Sequence, residues 1–166
     1  NLAQNHSRLI GIVLKRRKDK YENIFADPFH GELLGALEAA IREQGYYMML
    51  YTSEDIDEIV RNVVSWNTEG LILIGMLHDD YLKIRSKYKK PAVLIDSYTP
   101  KNIARYVNIG LDDEEGGYLM TKYLLECGHR KIAFLADNME GVDYIRYTGH
   151  QRALQEYGLD IDLDNL

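Results

Sequence analysis

Short apolar runs alternate with amphipathic segments along this chain, and this alternation restricts its fold more than any other feature. Residues 9–14, 71–74 and 92–95 form runs without a charged residue, as expected of strands covered on both faces of a sheet. Between these runs, apolar residues recur at the spacing of helices that pack on a core. Strands that alternate with helices indicate βαβ units, so the predicted fold class is α/β, a doubly wound parallel sheet.

The spacing and the turn residues predict the bounds of the individual elements. Asp27 is the expected N-cap of the first helix, Pro28 fits its first turn, and Gly45 fits its end. Ser53 is expected to cap the second helix. The predicted strands are 9–14, 46–51, 71–74, 92–95, 106–109 and 132–135, and the later predicted helices are 79–88, 113–126 and 144–157.

One helix face is predicted in detail. The helix at 113–126 carries an apolar stripe that we expect to be buried, formed by Leu119, Met120, Tyr123, Leu124 and Cys127. Because Cys127 lies on this stripe, we expect a packed thiol rather than a nucleophile. It is the single cysteine of the chain, which excludes an internal disulfide and fits a reducing compartment.

The charge of the chain argues against direct binding to DNA. The formal net charge is −6, whereas a surface that binds DNA phosphates needs clustered lysine and arginine. The one basic run, residues 15–20, has no interleaved aromatic residues and is expected to be a solvated loop. The first residues show no secretory signal, and no apolar run is long enough to span a bilayer. We therefore expect a cytoplasmic protein without a membrane partner.

The motifs of several enzyme classes are absent from the sequence. No glycine-rich phosphate loop, dinucleotide-binding fingerprint or nucleophile elbow occurs. The five histidines are scattered without the spacing of metal ligands. We therefore expect no catalytic residue, no cofactor and no metal site, and a function other than that of an enzyme.

Several segments, in order and correctly spaced, together resemble the core of the LacI/GalR family of bacterial transcriptional repressors. Residues 7–14 resemble the junction between the family's hinge and its first core strand, and residues 27–38 resemble its first core helix. The most specific segment is 112–118 with its continuation through 124–135, and residues 146–154 resemble the helix that follows. The resemblance covers nearly the whole chain.

The resemblance implies a periplasmic-binding-protein-like core of type I, with two lobes. Residues 1–7 are then the end of the hinge, 8–110 the N-terminal lobe, and 111–166 the start of an incomplete C-terminal lobe. A small-molecule effector, in this family commonly a sugar or a nucleobase, is expected between the lobes, and for this chain we expect a sugar or a sugar derivative. The resemblance also implies a homodimer that binds operator DNA only through an N-terminal helix-turn-helix, which is missing from this chain.

Two candidate effector-binding residues come from the resemblance. Phe29 corresponds to a family position whose ring faces the effector, although its spacing also fits the apolar core stripe of its helix. Arg146 matches an arginine that the family uses to grip effectors, and its planar fork of donors suits paired hydroxyls, carboxylates or phosphates. An ordinary surface arginine is the alternative interpretation.

The predicted fold supplies further candidates, because ligands in such sheets gather beyond the carboxyl ends of the strands. Asp96 directly follows an apolar run at a loop mouth, where its carboxylate can accept hydrogen bonds from two sugar hydroxyls. The alternative is a turn or cap acceptor. Weaker candidates for the lining of the site are Asp27, Gly75 and Met76.

Two other functions stay open beside that of a repressor. A periplasmic sugar-binding protein of a transporter shares this architecture, and fold alone does not set function. Residues 1–6, which resemble the end of the family's hinge, and residues 128–133, which are typical of the regulators, favour the repressor. A flavodoxin-like enzyme or nucleotide binder needs a phosphate loop or a catalytic cluster, and the sequence shows neither.

The loop at residues 15–26 departs from the family pattern, because it is longer and more basic than the common version. This raises the hypothesis of an anionic effector such as a phosphorylated sugar. Equal affinity for a phosphorylated sugar and for its free form would contradict that hypothesis.

Overall fold

The computed structural model describes residues 6–16, 23–97, 107–136 and 141–159. The chain forms two compact units, Asn1–Ile109 and Gly110–Leu166. The strands of the described part are β1 Leu9–Lys15, β2 Tyr47–Ser53, β3 Gly70–Ile74, β4 Ala92–Ile95 and β5 Val107–Ile109. Its α-helices are α1 Pro28–Glu43, α2 Ile56–Ser65, α3 His78–Lys87, α4 Asp113–Glu126 and α5 Gly141–Glu156, and a short 3₁₀ turn lies at Ile24–Ala26.

The five strands described in the first unit form one parallel sheet in the order β2-β1-β3-β4-β5. This order confirms the predicted α/β class. The register places Lys15 beside Ser53, Leu14 beside Ile74, and Ile74 beside Ile95. The carboxyl ends of β1 to β4 therefore lie side by side at one edge of the sheet, where the loops leave it.

Helices pack on both faces of the sheet at β1, β3 and β4, whose successive side chains point to opposite faces, whereas the three residues of β5 are exposed. On one face, Val13 and Leu73 pack with Ile59 of α2 in a buried cluster. On the other face, Leu14 packs with Leu34 of α1. Complete burial of each such side chain stabilises the fold by about 1.5–3 kcal/mol. The continuous apolar runs of the sequence correspond to these strands with two covered faces.

Aspartate side chains cap α1 and α2 of the first unit, and one of these two caps differs from the prediction. Asp27 caps α1 as predicted, since its carboxylate accepts a hydrogen bond from the Phe29 N–H. The prediction that Ser53 caps α2 is wrong, because the N-cap is Asp55, whose carboxylate accepts from the Asp57 N–H. Ser53 is the last residue of β2, and its hydroxyl accepts from the Asp55 N–H.

The described part of the second unit consists mainly of α4 packed against α5. Two glycines allow a very close approach of the two backbones. A Cβ on Gly149 would overlap the carbonyl of Glu114, and a Cβ on Gly117 would overlap the carbonyl of Arg146. The apolar core of this unit is small, and its buried members are Leu125, Ala153 and Leu154.

The prediction of the buried face of α4 is wrong. Because Gly117 has no side chain, α5 can pack closely against the face of α4 on which Gly117 lies. The residues of α4 on this face are Asp113, Gly117, Thr121 and Leu125. The most apolar face of the helix is consequently not the face that is packed. In the predicted stripe, Leu124 is half-buried, and the exposed residues are Leu119, Met120, Tyr123 and Cys127.

The predicted strand at residues 132–135 is also wrong, because these residues form no regular structure. A strand needs a neighbour for its backbone hydrogen bonds, and no described segment of the second unit pairs with this one. Phe134 instead places its ring 5.4 Å from the rings of Tyr147 and His150. Leu135 is 94% exposed.

Candidate functional site

The turn after β3 lies against the end of β1 at the carboxyl edge of the sheet. Gly75 has a φ of +70°, and a Cβ on it would lie 3.1 Å from the Lys15 carbonyl oxygen, which favours glycine at this position. Gly75 therefore presents backbone at this edge. The side chain of Met76 is only 1% exposed and packs in the core, so any contact of Met76 with a ligand depends on its backbone.

Asp96 directly follows β4, and its φ of +48° lies in the left-handed region that residues other than glycine seldom adopt. Its N–H donates to the Ile109 carbonyl at 2.9 Å. The next residue, Ser97, donates its N–H to Asn108 and its hydroxyl to the Met76 carbonyl. Such backbone strain costs on the order of 1–3 kcal/mol and clusters at ligand sites. The structure thus holds Asp96, half-buried, at the loop mouth where the sequence placed it.

The first turn of α1 exposes an aromatic ring beside a fixed carboxylate. Phe29 is 51% exposed, so it does not belong to the core stripe of α1. The two carboxylate oxygens of Asp27 are both engaged, one with the Phe29 N–H at 2.9 Å and the other with His30 Nδ1 at 2.8 Å. The His30 ring also meets the Phe29 ring edge-on at 5.6 Å. Asp27 therefore acts on this region by holding Phe29 in place.

This turn lies at the same edge of the first unit as Gly75 and Asp96. The 3₁₀ turn before α1 inserts Ile24 into the buried cluster that contains Leu14, Ile74 and Ile95, which end β1, β3 and β4 or lie next to their ends. The edge therefore combines an exposed ring, a strained acidic residue and an exposed glycine turn. This combination suits a ligand with an apolar face and several hydroxyl groups.

Sequence reasoning missed an ion pair at this edge. The prediction of a solvated loop is wrong for Lys15, because this residue ends β1 and its Nζ lies 2.6 Å from Asp80 Oδ2. The same oxygen of the buried Asp80 accepts the Leu77 N–H at 3.0 Å. In the sequence, Asp80 is recognisable only as an acidic residue in the first turn of a helix. The helix dipole favours such residues in every helix, so this position does not predict an ion pair. The pair lowers the positive charge that the described part of the basic run presents.

A groove of about 410 Å³ opens beside the end of β2. Arg16 contributes to its lining, and the Arg16 Nε is buried without a hydrogen-bond partner in the described part of the chain. The other lining residues are Asn23, Ile24, Phe25, Leu50, Tyr51 and Thr52.

A polar network next to this groove connects β2 to α2. The hydroxyls of Tyr51 and Ser53 donate to the two carboxylate oxygens of Glu58, at 2.7 and 2.5 Å, and Asn62 donates to the Tyr51 oxygen at 2.6 Å. The hydrogen bonds from Ser53 and Tyr51 lower the pKa of Glu58. Burial and the bond to Glu58 raise the pKa of Tyr51. The network stabilises the edge strand and leaves Glu58 ionised at neutral pH.

The second unit holds Arg146, the remaining predicted site residue, on α5. Its side chain is 47% exposed, and its Nε donates to Asp113 Oδ1 at 2.8 Å. The Asp113 side chain is only 3% exposed. Arg146 is therefore anchored at its Nε, while nearly half of its side chain is exposed.

A buried histidine joins the two helices of this unit. His150 Nδ1 lies 2.9 Å from the Thr121 hydroxyl, and its ring stacks near Tyr147. Burial lowers the pKa of His150, which favours its neutral form. At the end of α4, Arg130 donates to the Leu125 carbonyl at 2.8 Å, and its positive charge lies at the helix terminus where the helix dipole favours it.

The described ranges contain no group of three or more His, Cys, Asp or Glu residues that could hold a metal ion. None of the helices in these ranges combines the length and the apolar character that crossing a membrane requires.

Comparison of the sequence with known proteins identifies a family and its relatives. A family model described as periplasmic binding proteins and sugar binding domain of LacI family matches residues 8–166. The HTH-type transcriptional regulator GntR of Escherichia coli K12 is 30% identical over 95% of this chain and 46% of its own length. The HTH-type transcriptional repressor PurR of Pasteurella multocida is 28% identical over 99% of this chain and 48% of its own length. The chain thus spans about half the length of these curated relatives.

Solved structures show the same fold. A transcriptional regulator CelR-cellobiose complex superposes with a TM-score of 0.83, at 22% identity, over 96% of this chain and 50% of that one. The lac repressor dimer bound to operator and an anti-inducer superposes with a TM-score of 0.77, at 20% identity, over 96% of this chain and 55% of that one.

Proposed function

Because the chain belongs to the family of periplasmic binding proteins and LacI-type sugar-binding domains, we propose that it is the effector-sensing part of a bacterial transcriptional regulator. The family match over residues 8–166 carries this proposal. The named relatives are regulators of transcription, which favours a regulator over a solute-binding protein of a transporter and over an enzyme. A regulator of this kind works in the cytoplasm.

The proposed effector is a neutral sugar or a close derivative. In this proposal the exposed Phe29 ring covers the apolar face of the sugar, and the Asp96 carboxylate accepts hydrogen bonds from its hydroxyls. Gly75 allows a close approach of the ligand to the backbone, Asp27 holds Phe29, and Arg146 donates to paired oxygens. The ion pair of Lys15 with Asp80 removes one of the positive charges on which the hypothesis of an anionic effector rests.

The proposed division of the chain follows the family. Residues 8–110 form the N-terminal lobe and residues 111–166 the start of the C-terminal lobe, with the effector held between two lobes. The compact units that meet at Ile109 and Gly110 support this division. Operator binding belongs to an N-terminal helix-turn-helix outside this chain, in agreement with the net charge of −6.

The proposed mechanism is thermodynamic linkage in a homodimer. An effector that binds one arrangement of the lobes more tightly shifts the population toward that arrangement. The dimer transmits this shift to the hinge and so changes the affinity for the operator. The change in operator affinity is limited by the difference between the effector's affinities for the two arrangements.

A thermal-shift screen with neutral mono- and disaccharides, cellobiose among them, tests this proposal. We expect at least one sugar to raise the melting temperature, because a ligand that binds only the folded state stabilises it. Phe29→Ala should abolish that shift. The matched control is Tyr47→Ala, which removes an exposed aromatic ring at the opposite end of the strands. The proposal fails if no sugar shifts the melting temperature, or if both variants respond to the sugar alike.

A further inference from the structure

The backbone of Arg146 has a fixed position. The carbonyl of Arg146 lies against Gly117 of α4 so closely that no side chain fits between them. One turn further along α5, Gly149 makes an equally close contact with the Glu114 carbonyl. Two close backbone contacts on the same helix leave little freedom for α5 to slide or rotate relative to α4. The Cα of Arg146 is therefore set by the helix packing before its side chain is considered.

Asp113 fixes the side chain as well. Asp112 caps α4 by accepting the Glu115 N–H at 3.2 Å, so Asp113 opens the helix at a place that favours negative charge. A carboxylate that is 3% exposed needs a charged or hydrogen-bonding partner, since burying it alone is costly. The Arg146 Nε supplies such a partner at 2.8 Å. Within the described ranges, Asp113 is the acceptor that the Arg146 side chain reaches.

This arrangement leaves the outer edge of the guanidinium available. An arginine side chain has five N–H donors, and the bond from Nε uses one of them. Within the described ranges no acceptor bonds Nη1 or Nη2, which form a planar fork on a side chain that is 47% exposed. Because the buried Asp113 carboxylate balances the positive charge, the fork recognises a ligand mainly by hydrogen-bond geometry.

A second arginine on α5 shows the opposite arrangement. Arg152 donates from Nη1 to Glu114 at 2.9 Å and from Nη2 to Glu115. Its guanidinium also lies 4.1 Å from the centre of the Tyr118 ring. Both Nη groups of Arg152 thus serve the packing of the unit. The same two helices hold one arginine whose Nη groups are consumed and one whose Nη groups are presented.

We propose that Asp113 is a positioning residue that presents Arg146 as a charge-balanced fork for two neighbouring hydroxyls of a neutral sugar. This inference rests on the proposed function and adds a preference for neutral over anionic ligands. An aspartate in this place raises the selectivity for uncharged polyols, because an anion would approach the Asp113 carboxylate as well as the fork.

¹⁵N NMR of the full chain tests, without any ligand, whether Asp113 positions the Arg146 side chain. We expect a resolved Nε–H signal of Arg146, identified by its loss in Arg146→Lys, that exchanges with water slowly. In Asp113→Ala this exchange should become at least tenfold faster. Glu114→Ala is the matched control, because it removes a carboxylate from the same turn of α4 that bonds Arg152 instead. Equal exchange in the two variants would overturn the positioning role.

Calorimetry with paired sugars tests the ligand preference. The probes are glucose with glucuronate and galactose with galacturonate. We expect the unmodified chain to prefer a neutral member, and Asp113→Asn, which keeps the shape and an acceptor oxygen, to lower that preference at least tenfold. Glu114→Ala should leave it unchanged. An unaltered preference in Asp113→Asn would overturn this inference alone, whereas a chain that binds no sugar would overturn the proposed function together with it.

Discussion

The two units of this chain hold their helices and strands together by different physical means. In the first unit, the strands β1, β3 and β4 of a five-stranded sheet are covered on both faces, and two buried apolar clusters fix the elements. In the second, two helices meet through glycines, ion pairs and one buried histidine, around a small apolar core. Burial of apolar side chains defines the first unit, whereas close backbone contact and charge pairing define the second. The two kinds of packing predict different responses to substitution.

Gly149→Ala should have the largest effect. Its added Cβ would overlap the Glu114 carbonyl, which is backbone and cannot rotate away, so α4 and α5 must separate. We expect a loss of about 4 kcal/mol or more in the free energy of unfolding of the second unit, in the range of severe overpacking. Hydrogen exchange should show faster exchange throughout α4 and α5 and unchanged exchange in β1 and β3.

The control for this prediction is Gly116→Ala on α4, where an added Cβ meets nothing within 4 Å. Since alanine favours the helix, this variant should stabilise α4 by about 0.5–1 kcal/mol. Similar losses in the two glycine variants would show that the close approach of the helices does not set the stability of this unit.

Leu73→Ala should have the next largest effect, now in the first unit. Leu73 is fully buried in the cluster that joins the sheet to α2 and α3. Removing its side chain should destabilise this unit by about 2–5 kcal/mol. Leu119→Ala, at an exposed position of α4, should change stability by less than about 0.5 kcal/mol. Chemical denaturation measures both, and a large loss in Leu119→Ala would contradict the packing described for the second unit.

The helix caps should behave alike in the two units, because capping is local. Asp27 accepts the Phe29 N–H at the start of α1, and Asp112 accepts the Glu115 N–H at the start of α4. Each replacement by alanine should cost about 1 kcal/mol in its own unit. Circular dichroism during thermal unfolding would detect both losses. A negligible loss at both sites would show that these side chains do not act as caps.

The smallest and most gradual difference is expected in the response to acid. Burial lowers the pKa of His150 below the 6.5 of an unperturbed histidine. The contribution of His150 to stability is therefore complete above pH 6.5 and declines as the pH falls from there through the lowered pKa. In the first unit, hydrogen bonds lower the pKa of Glu58 from 4.5, so its contribution is lost only at more acidic pH.

Hydrogen exchange at pH 7 and pH 5.5, corrected for intrinsic exchange rates, measures this difference. The second unit should lose protection on acidification while the first unit retains it. His150→Gln should remove the pH response of the second unit. If the second unit of His150→Gln loses as much protection between pH 7 and pH 5.5 as that of the unmodified chain, a group other than His150 causes the response.

The sequence predicted the first unit well because its signals are local and strong. The runs at β1, β3 and β4 have no charged residue except the terminal Lys15, and Asp27 with Pro28 marks the start of α1. The second unit was predicted less well, because its packing depends on partners. The segment 132–135 has the composition of a strand, yet it has no strand beside it in the described part. The prediction took the most apolar face of α4 as the buried one, whereas the face that packs against α5 is the one that contains Gly117.

The candidate site divides in the same way. Asp96 and Gly75 follow from their places at strand ends, whereas Phe29 and Arg146 follow from the resemblance to the family. Lys15 and Asp80 are 65 residues apart, so only the fold brings them together. In the sequence, nothing distinguishes Asp113 from other acidic residues at the start of a helix, so its ion pair with Arg146 could not be predicted. Gly117 and Gly149 carried a usable signal, since glycine inside a helix costs about 1 kcal/mol unless packing requires it.

We propose above all that the effector binds at the carboxyl edge of the first unit's sheet. Amide chemical-shift mapping, with a neutral sugar from the thermal-shift screen added to the labelled chain, tests it most directly. We predict that the largest shifts in the first unit occur at the start of α1, at Gly75 and at Asp96. Shifts confined to the opposite edge, where His6, Arg8 and Glu69 line another groove, would contradict the claim.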